Sequence, residues 1–156
     1  MSAAPEHAEA LMEAALDEAR AATAHDDVPV GAVIARLIDG AVLARRHNER
    51  ELTHDPTAHA ELLALREASQ VVGGWRLDGC MLVVTLEPCA MCAGAIVNAR
   101  LPVLVYGATD PKAGAVSSLY EIATDPRLNH RVEVHEGLRA DDCGTLLRRF
   151  FAARRG

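Results

Sequence analysis

Two short segments of the chain carry side chains that bind metals and move protons. They are His59-Ala60-Glu61 and Pro88-Cys89-Ala90-Met91-Cys92. One imidazole and two thiolates supply three protein ligands to a tetrahedral zinc ion and leave its fourth position open for water, which is typical of catalytic zinc sites. Zinc lowers the pKa of a bound water from about 15.7 to roughly 7 and so supplies hydroxide at neutral pH. Glu61 is not needed as a ligand, and we therefore predict that it carries protons.

Helix N-termini are expected to position both segments. Cys89 and Cys92 are three residues apart, so their sulfurs point the same way on the first turn of a helix. Pro88 suits the entry to that helix because it lacks the N–H group that would be unpaired there. Residues 55–57, Asp-Pro-Thr, indicate the start of a second helix, with His59 near its beginning. Because these ligands lie at two helix starts, two helix N-termini are predicted to face one metal ion. The partial positive charge of a helix N-terminus also favours thiolate over thiol.

Other interpretations of the cysteines exist. The C-x-x-C pair could be a redox pair or half of a structural zinc site with four protein ligands. Such a site would need Cys80, Cys143 or a second histidine, and none of these repeats a ligand spacing. The H-A-E segment alone could arise by chance on a helix face. The two segments together, with proline before the first cysteine, favour a catalytic zinc, and Cys80 and Cys143 are expected to be small core residues.

Length and composition predict one domain over residues 1–156. Half of the 156 residues are hydrophobic, so the chain can bury a sizeable core without disulfides. The N-terminus lacks a basic start followed by an apolar run, and the sequence contains no apolar stretch long enough to span a membrane. We therefore expect a cytoplasmic protein with no membrane partner.

Charge is unevenly distributed. The formal net charge of −6 argues against a nucleic-acid partner. Residues 1–99 hold 7 Lys and Arg against 15 Asp and Glu, whereas residues 100–156 hold 9 against 7. Arg148, Arg149, Arg154 and Arg155 cluster near the end of the chain. They are either a solvated surface or a site for phosphates, and charge alone does not decide between the two.

The apolar pattern predicts alternating helices and strands without internal repeats. Asp39-Gly40 between two β-rich runs is a hairpin signal. Helices are predicted over residues 6–25, 58–71, 89–99 and 141–153, and strands over residues 28–38, 41–44, 81–86, 103–106 and 132–134. A hairpin followed by α-β-α-β units predicts an α/β protein with helices on both sides of a central mixed sheet of about five strands. Both metal-binding segments fall beyond strand ends, where sites form in such sheets.

Several longer segments resemble one known family. They are V-P-V-G-A-V at residues 28–33, Asn48, D-P-T-A-H-A-E at 55–61, V-T-L-E-P-C-A-M-C-A-G-A-I at 84–96, Y-G-A-T-D-P-K-A-G-A-V-S-S-L at 106–119, N-H-R-V-E-V at 129–134 and L-L-R-R-F-F-A-A-R-R at 146–155. Through them the chain resembles the bacterial tRNA-specific adenosine deaminases of the cytidine-deaminase-like superfamily. The metal motif is shared by the whole superfamily, whereas residues 110–119 and the Phe-Phe tail with its arginines are closer to the RNA-editing branch. A hairpin loop at residues 36–41 is slightly longer than usual and lies away from the motifs.

The resemblance implies a three-layer α/β/α fold and hydrolytic conversion of the wobble adenosine of a tRNA anticodon to inosine. It implies one Zn²⁺ per subunit, held by His59, Cys89 and Cys92, with Glu61 carrying protons. It also implies a homodimer in which both subunits contact the anticodon stem-loop. The implied substrate-binding residues are Asn48, Val30, Asp110, Lys112, Phe151 and Arg154. By residue type alone, asparagine is common in turns, valine and phenylalanine are common in cores, and charged residues are common in surface loops.

Two alternative functions use the same residues. One is a deaminase of a free base or nucleoside such as cytosine, cytidine or guanine, which needs no terminal arginines. The other is a zinc-stabilised binding module without turnover, in which Glu61 is dispensable.

Overall fold

Five strands and the helices around them make up the described part of the chain. The structure is a computed structural model that describes residues 4–155, with Arg155 described by its backbone alone. In chain order the elements are α1 (Ala8–Ala22), a 3₁₀ turn (Thr23–His25), β1 (Gly31–Arg36), β2 (Val42–His47), α2 (Arg50–Thr53), α3 (Ala60–Val72), β3 (Cys80–Leu86), α4 (Ala90–Asn98), β4 (Val103–Ala108), β5 (Glu133–Glu136) and α5 (Ala140–Arg155). Residues 1–3 and 156 of the predicted domain, and the side chain of Arg155, lie outside the described residues.

The strands form one mixed sheet in the order β2-β1-β3-β4-β5. β1 is antiparallel to both of its neighbours, β2 and β3. β3, β4 and β5 are parallel to one another. Helices α1 and α5 pack on one face of the sheet and α3 and α4 on the other. This arrangement confirms the predicted α/β class, the mixed sheet of about five strands and the helices on both of its faces.

The alternation of side chains along β1 divides the core into two layers. Ala32 and Ile34 face α3 and α4, and Val33 and Ala35 face α1. β3 is buried on both faces from its first residue to its sixth, as expected for a central strand. Gly31 allows α1 to approach the sheet closely, because an added Cβ would overlap the carbonyl oxygen of Ala15.

The predicted hairpin is present between β1 and β2. The N–H of Arg36 donates to the carbonyl of Ala41 at 2.9 Å, and Gly40 takes a left-handed φ of 72°. β2 continues to His47, beyond the predicted end at residue 44. This boundary was wrong because an edge strand keeps charged residues such as Arg45 on its solvent side, so its apolar run ends before the strand does. β5 likewise begins at Glu133 and ends at Glu136, later than predicted, and is largely polar.

The two cysteines outside the C-x-x-C pair lie in the core, as predicted. Cys80 and Cys143 are both buried, and they belong to core layers on opposite faces of the sheet. Neither belongs to the cluster of possible metal ligands that contains Cys89. Within residues 4–155, none of the helices combines the length and the hydrophobicity needed to cross a membrane.

Candidate active site

The predicted metal ligands lie at the N-termini of α3 and α4. His59 and Cys89 are the N-cap residues of these helices, and both have extended backbone conformations. Cys92 lies in the first turn of α4. Each helix therefore begins one or two residues later than predicted, and Pro88 immediately precedes the N-cap of α4, at the entry to that helix, as predicted. The carbonyl of Pro88 accepts a hydrogen bond from the N–H of Ala115 at 2.8 Å.

The three ligand atoms form a compact cluster. His59 Nδ1 lies 3.6 Å from the Sγ atoms of both Cys89 and Cys92. Tetrahedral geometry with Zn–S of about 2.3 Å and Zn–N of about 2.0–2.1 Å requires N···S separations of about 3.6 Å. Within the described chain, this is the one group of three or more His, Cys, Asp and Glu side chains close enough together to hold a metal ion. Its geometry fits a tetrahedral cation with one position left for a non-protein ligand.

The electrostatics of the cysteine pair also fit a cation. A hydrogen bond from Cys92, opposed by burial, and further contacts with His59 lower the pKa of Cys89 to about 3. The hydrogen bond that Cys92 donates to Cys89, together with burial, raises the pKa of Cys92. Protein groups alone therefore stabilise one thiolate and oppose a second. A divalent cation removes that conflict because it stabilises both thiolates.

Glu61 is a buried residue at the start of α3. It is the second residue of the helix and is only 4% exposed. Burial raises the pKa of its carboxyl group to about 7. A group with a pKa near the working pH can both accept and donate a proton, which is the requirement for general acid–base catalysis.

One cavity of about 600 Å³ joins these groups to the predicted substrate residues. It lies where β3 and β4 end, β1 begins, and α3 and α4 start. Its lining includes His59, Glu61 and Cys89, and also all six predicted substrate-binding residues, Val30, Asn48, Asp110, Lys112, Phe151 and Arg154. Cys92 is fully buried behind the lining. The structure therefore brings the whole predicted set together around one opening.

Asn48 and Val30 form the deep wall of the cavity. The side-chain oxygen of Asn48 accepts a hydrogen bond from the N–H of Ala60 at 2.8 Å, and its amide donates to the carbonyl of Val28 at 3.0 Å. An amide group has two N–H bonds and two lone pairs, so one of each remains for another partner. Val30 is both a cavity residue and a core residue.

Asp110 and Lys112 lie on the loop that follows β4. Asp110 Oδ1 accepts hydrogen bonds from the N–H groups of Lys112 and Ala113 at 3.1 and 3.2 Å. This carboxylate therefore shapes its own turn. The side chain of Lys112 is exposed at the cavity rim.

Helix α5 supplies the outer wall. Phe151 is 44% exposed and lines the cavity, whereas Phe150 is buried in the protein. The guanidinium of Arg154 lies 3.6 Å from the ring centre of Phe150 and forms an ion pair of 2.7 Å with Asp26. Arg148 and Arg149 are exposed on the same helix but do not line the cavity.

Two buried carboxylates beside the cavity, Asp27 and Glu87, are not among the residues predicted from the sequence, and each is 2% exposed. Asp27 accepts hydrogen bonds from the first N–H groups of α2, those of Glu51 and Leu52. Burial raises the pKa of Asp27. These hydrogen bonds and the contact with His25 lower the pKa by a larger amount, so that it lies below its usual range. The balance is the same for Glu87, where burial raises the pKa and hydrogen bonds from residues 110–118 outweigh it.

Arg50 is a further cavity residue that was not predicted. It belongs to α2, which is only four residues long. Neither Arg50 nor Lys112 forms an ion pair with a carboxylate of the described residues. Two cations at the rim are therefore available to an anionic partner.

Comparison with known proteins identifies the class. The sequence profile of the MafB19-like deaminases matches residues 6–155. The chain is 47% identical to the tRNA-specific adenosine deaminase of Streptococcus pyogenes serotype M1 over 90% of this chain and 81% of that protein. It is 45% identical to the tRNA-specific adenosine deaminase of Bacillus subtilis over 92% of this chain and 88% of that protein.

Solved structures agree with these relatives. A structure from a study of A-to-I editing by tRNA:A34 deaminases at the wobble position of transfer RNA superposes with a TM-score of 0.84 at 46% identity, over 88% of this chain and 99% of that one. Guanine deaminase from Nitrosomonas europaea superposes with a TM-score of 0.78 at 29% identity, over 97% of this chain and 87% of that one. The chain therefore belongs to the MafB19-like deaminases, and its sequence identity places it in the family of tRNA-specific adenosine deaminases.

Proposed function

We propose that this chain hydrolyses the adenosine at the wobble position of a tRNA anticodon to inosine and ammonia. The proposal rests on one cavity lined by His59 and Cys89, two residues of the three-ligand metal cluster, by the buried carboxyl group of Glu61, and by aromatic and cationic residues at its rim. The identity of 45–47% to tRNA-specific adenosine deaminases over about nine-tenths of the chain supports the choice of substrate.

The proposed cofactor is one zinc ion per subunit, held by His59 Nδ1, Cys89 Sγ and Cys92 Sγ. When bound, zinc supplies a Lewis acid that activates water for attack. Glu61 takes a proton from the attacking water and delivers it to N1 of the purine as C6 becomes tetrahedral. The same carboxyl group then takes the remaining proton of the hydroxyl group added at C6 and passes it to the amino group. The C6–N bond breaks, C6 becomes a carbonyl, and ammonia is released.

The rest of the cavity binds and orients the base in this proposal. Asn48 offers its remaining N–H and lone pair to the base or ribose, and Val30 packs against the flipped ring. Wobble nucleotides lie in an unpaired loop, so extruding the base costs less than it would in a duplex.

The rim is proposed to hold the anticodon stem-loop. Phe151 is exposed enough to stack on a neighbouring base, and Lys112, Arg50 and Arg154 carry positive charge for phosphates. Asp110 orders the loop that presents Lys112. Arg154 is held by Asp26, so RNA binding has to replace an existing ion pair with contacts to phosphate.

The resemblance further supports a homodimer that contacts the RNA through both subunits, in the cytoplasm, where tRNA is found. We propose both the assembly and the compartment together with the domain extent of residues 1–156.

The test is to incubate the purified, zinc-loaded protein separately with total tRNA, free adenosine, cytidine and guanine. We expect inosine in the tRNA and slow or undetectable deamination of the small molecules. Rapid turnover of guanine or another free base, with unmodified tRNA, would support the alternative of a small-molecule deaminase. No turnover of any substrate by zinc-loaded protein would support a binding module.

A further inference from the structure

Glu87 binds one loop through every acceptor position of its carboxylate. Its Oε1 atom accepts hydrogen bonds from the N–H of Asp110 at 2.9 Å and the hydroxyl of Ser118 at 2.5 Å. Its Oε2 atom accepts hydrogen bonds from the N–H groups of Val116, Ser117 and Ser118 at 3.1, 2.8 and 2.9 Å. All five donors belong to residues 110–118, which we call the rim loop.

These hydrogen bonds leave Glu87 no part in the chemistry. A carboxylate has about four lone-pair sites, and five donors occupy them. Burial of a charged group is tolerated only when it is compensated in this way. Glu87 therefore lacks free capacity to accept a proton or a substrate donor, although it borders the cavity.

Glu87 joins the rim loop to the metal-binding helix. It stands two residues before Cys89, and the intervening Pro88 accepts the N–H of Ala115 at 2.8 Å. Cys89 and Gly114 form a bridge on the same side. The rim loop and the start of α4 are thus held together at three neighbouring positions.

Gly114 shows how closely the two parts fit. A Cβ at this position would overlap the carboxylate of Glu87. Gly114 is also fully enclosed by the surrounding chain. The absence of a side chain therefore allows the rim loop to reach Glu87.

We propose that Glu87 is a positioning residue, which rests on the proposed function. Its carboxylate fixes the rim loop relative to Cys89, so that Asp110 and Lys112 face the anticodon loop at a set distance from the reacting base. Of the five hydrogen bonds, the one from the N–H of Asp110 holds the part of the loop that lies at the cavity rim. The other four bonds hold the far half of the loop.

Glu87→Gln separates these two groups of contacts. A glutamine can direct its oxygen toward the three N–H groups of residues 116–118. Its NH₂ group then faces the N–H of Asp110, where two donors oppose each other, and the hydroxyl of Ser118, which can turn to accept a hydrogen bond instead of donating one. The variant therefore keeps the far half of the loop and releases Asp110. Glu67→Gln is the matched control, because Glu67 pairs with Arg46, does not line the cavity and has no hydrogen bond to the rim loop.

The experiment measures KM and kcat for deamination of an anticodon stem-loop by the zinc-loaded full chain, together with zinc content. We expect Glu87→Gln to raise KM about tenfold, equal to about 1.4 kcal/mol, with kcat within about threefold of wild type and zinc retained. Glu67→Gln should leave KM unchanged. An unchanged KM in Glu87→Gln would overturn the proposal, and so would loss of zinc, since Glu87 would then support the metal site instead of the rim loop.

A double-mutant cycle with Lys112→Ala distinguishes positioning from a general loss of stability. If Glu87 places Lys112, removing Lys112 should raise KM less in the Glu87→Gln background than in the wild type. Additive effects would overturn the proposal. If Glu87→Gln fails to fold, Gly114→Ala is the second variant, because its added Cβ would displace the rim loop from the carboxylate of Glu87. It should raise KM while zinc is retained. An inactive wild type would overturn the proposed function and this inference with it, whereas an active wild type with unaffected variants overturns this inference alone.

Discussion

Replacing Glu61 by glutamine isolates the proton-transfer chemistry from the rest of the site. Glutamine has nearly the same size and fits the same buried position at the start of α3. The three metal-binding atoms belong to other residues. Zinc content and affinity for an anticodon stem-loop should therefore stay close to those of the wild type.

The expected loss of rate follows from the proton transfers assigned to Glu61. General acid–base groups contribute about 10² to 10⁴-fold to a reaction rate. Burial raises the pKa of this carboxyl group to about 7, which matches it to proton transfer in both directions near neutral pH. One residue serves several transfers in each turnover, so the loss should reach or exceed about 10⁴-fold. This corresponds to about 5.5 kcal/mol of activation free energy.

The assay is single-turnover inosine formation with enzyme in excess over stem-loop, accompanied by metal analysis and a binding titration. Glu67→Gln is the matched control, since Glu67 lies on the same helix and pairs with Arg46 outside the cavity. It should react at the wild-type rate. Near-normal inosine formation by Glu61→Gln would refute the proposed mechanism, and loss of zinc from that variant would assign Glu61 to the metal site.

Three further predictions address the metal, the rim and a buried carboxylate. Cys92→Ala should lose zinc and activity together, because two remaining protein ligands cannot reproduce the site; a full zinc complement measured in this variant would contradict the three-ligand assignment. Affinity for the stem-loop should fall steeply as the salt concentration rises, and Arg154→Ala should reduce the slope of log K against log salt by about 0.7. Binding that does not depend on salt, or unchanged stem-loop affinity of a chain truncated after Phe151, would favour the small-molecule alternative. The pKa of Asp27 in the folded protein lies below its ordinary value. At pH values above that ordinary value the ionised carboxylate therefore stabilises the fold, and this stabilisation is lost as the pH falls through the pKa of the folded state. The difference in unfolding free energy between wild type and Asp27→Asn should therefore shrink as the solution is acidified, and a difference that stays constant with pH would contradict the role of this carboxylate.

Much of the fold could be predicted from the sequence because its signals are local. The amphipathic pattern of α1, the Asp39-Gly40 turn and the apolar runs of β3 and β4 gave the layers and the mixed sheet. Boundaries failed where tertiary contacts override local pattern. The edge strand β2 includes Arg45, and the four residues of α2 are too few for a periodic signal.

The residues of the site also divide into those that a local sequence pattern predicts and those that only tertiary contacts reveal. His59, Cys89 and Cys92 are recognisable because metal binding needs fixed residue types at short spacings, and the structure brings their ligand atoms together. Glu87 and Asp27 could not be found by such a rule. An acidic residue is ordinarily predicted to be solvated, and the N–H groups that stabilise these two carboxylates come from segments 23 to 31 residues away. Only the folded chain shows those contacts.

The most direct measurement of wobble-specific deamination uses two anticodon stem-loops that differ in one position. One carries its only loop adenosine at the wobble position, and the other carries it elsewhere in the loop. Each is incubated with the zinc-loaded protein, and inosine is quantified at nucleotide resolution. We expect stoichiometric inosine at the wobble position and at most trace inosine in the second stem-loop. Equal deamination of both, or inosine in neither while a free base is consumed, would contradict it.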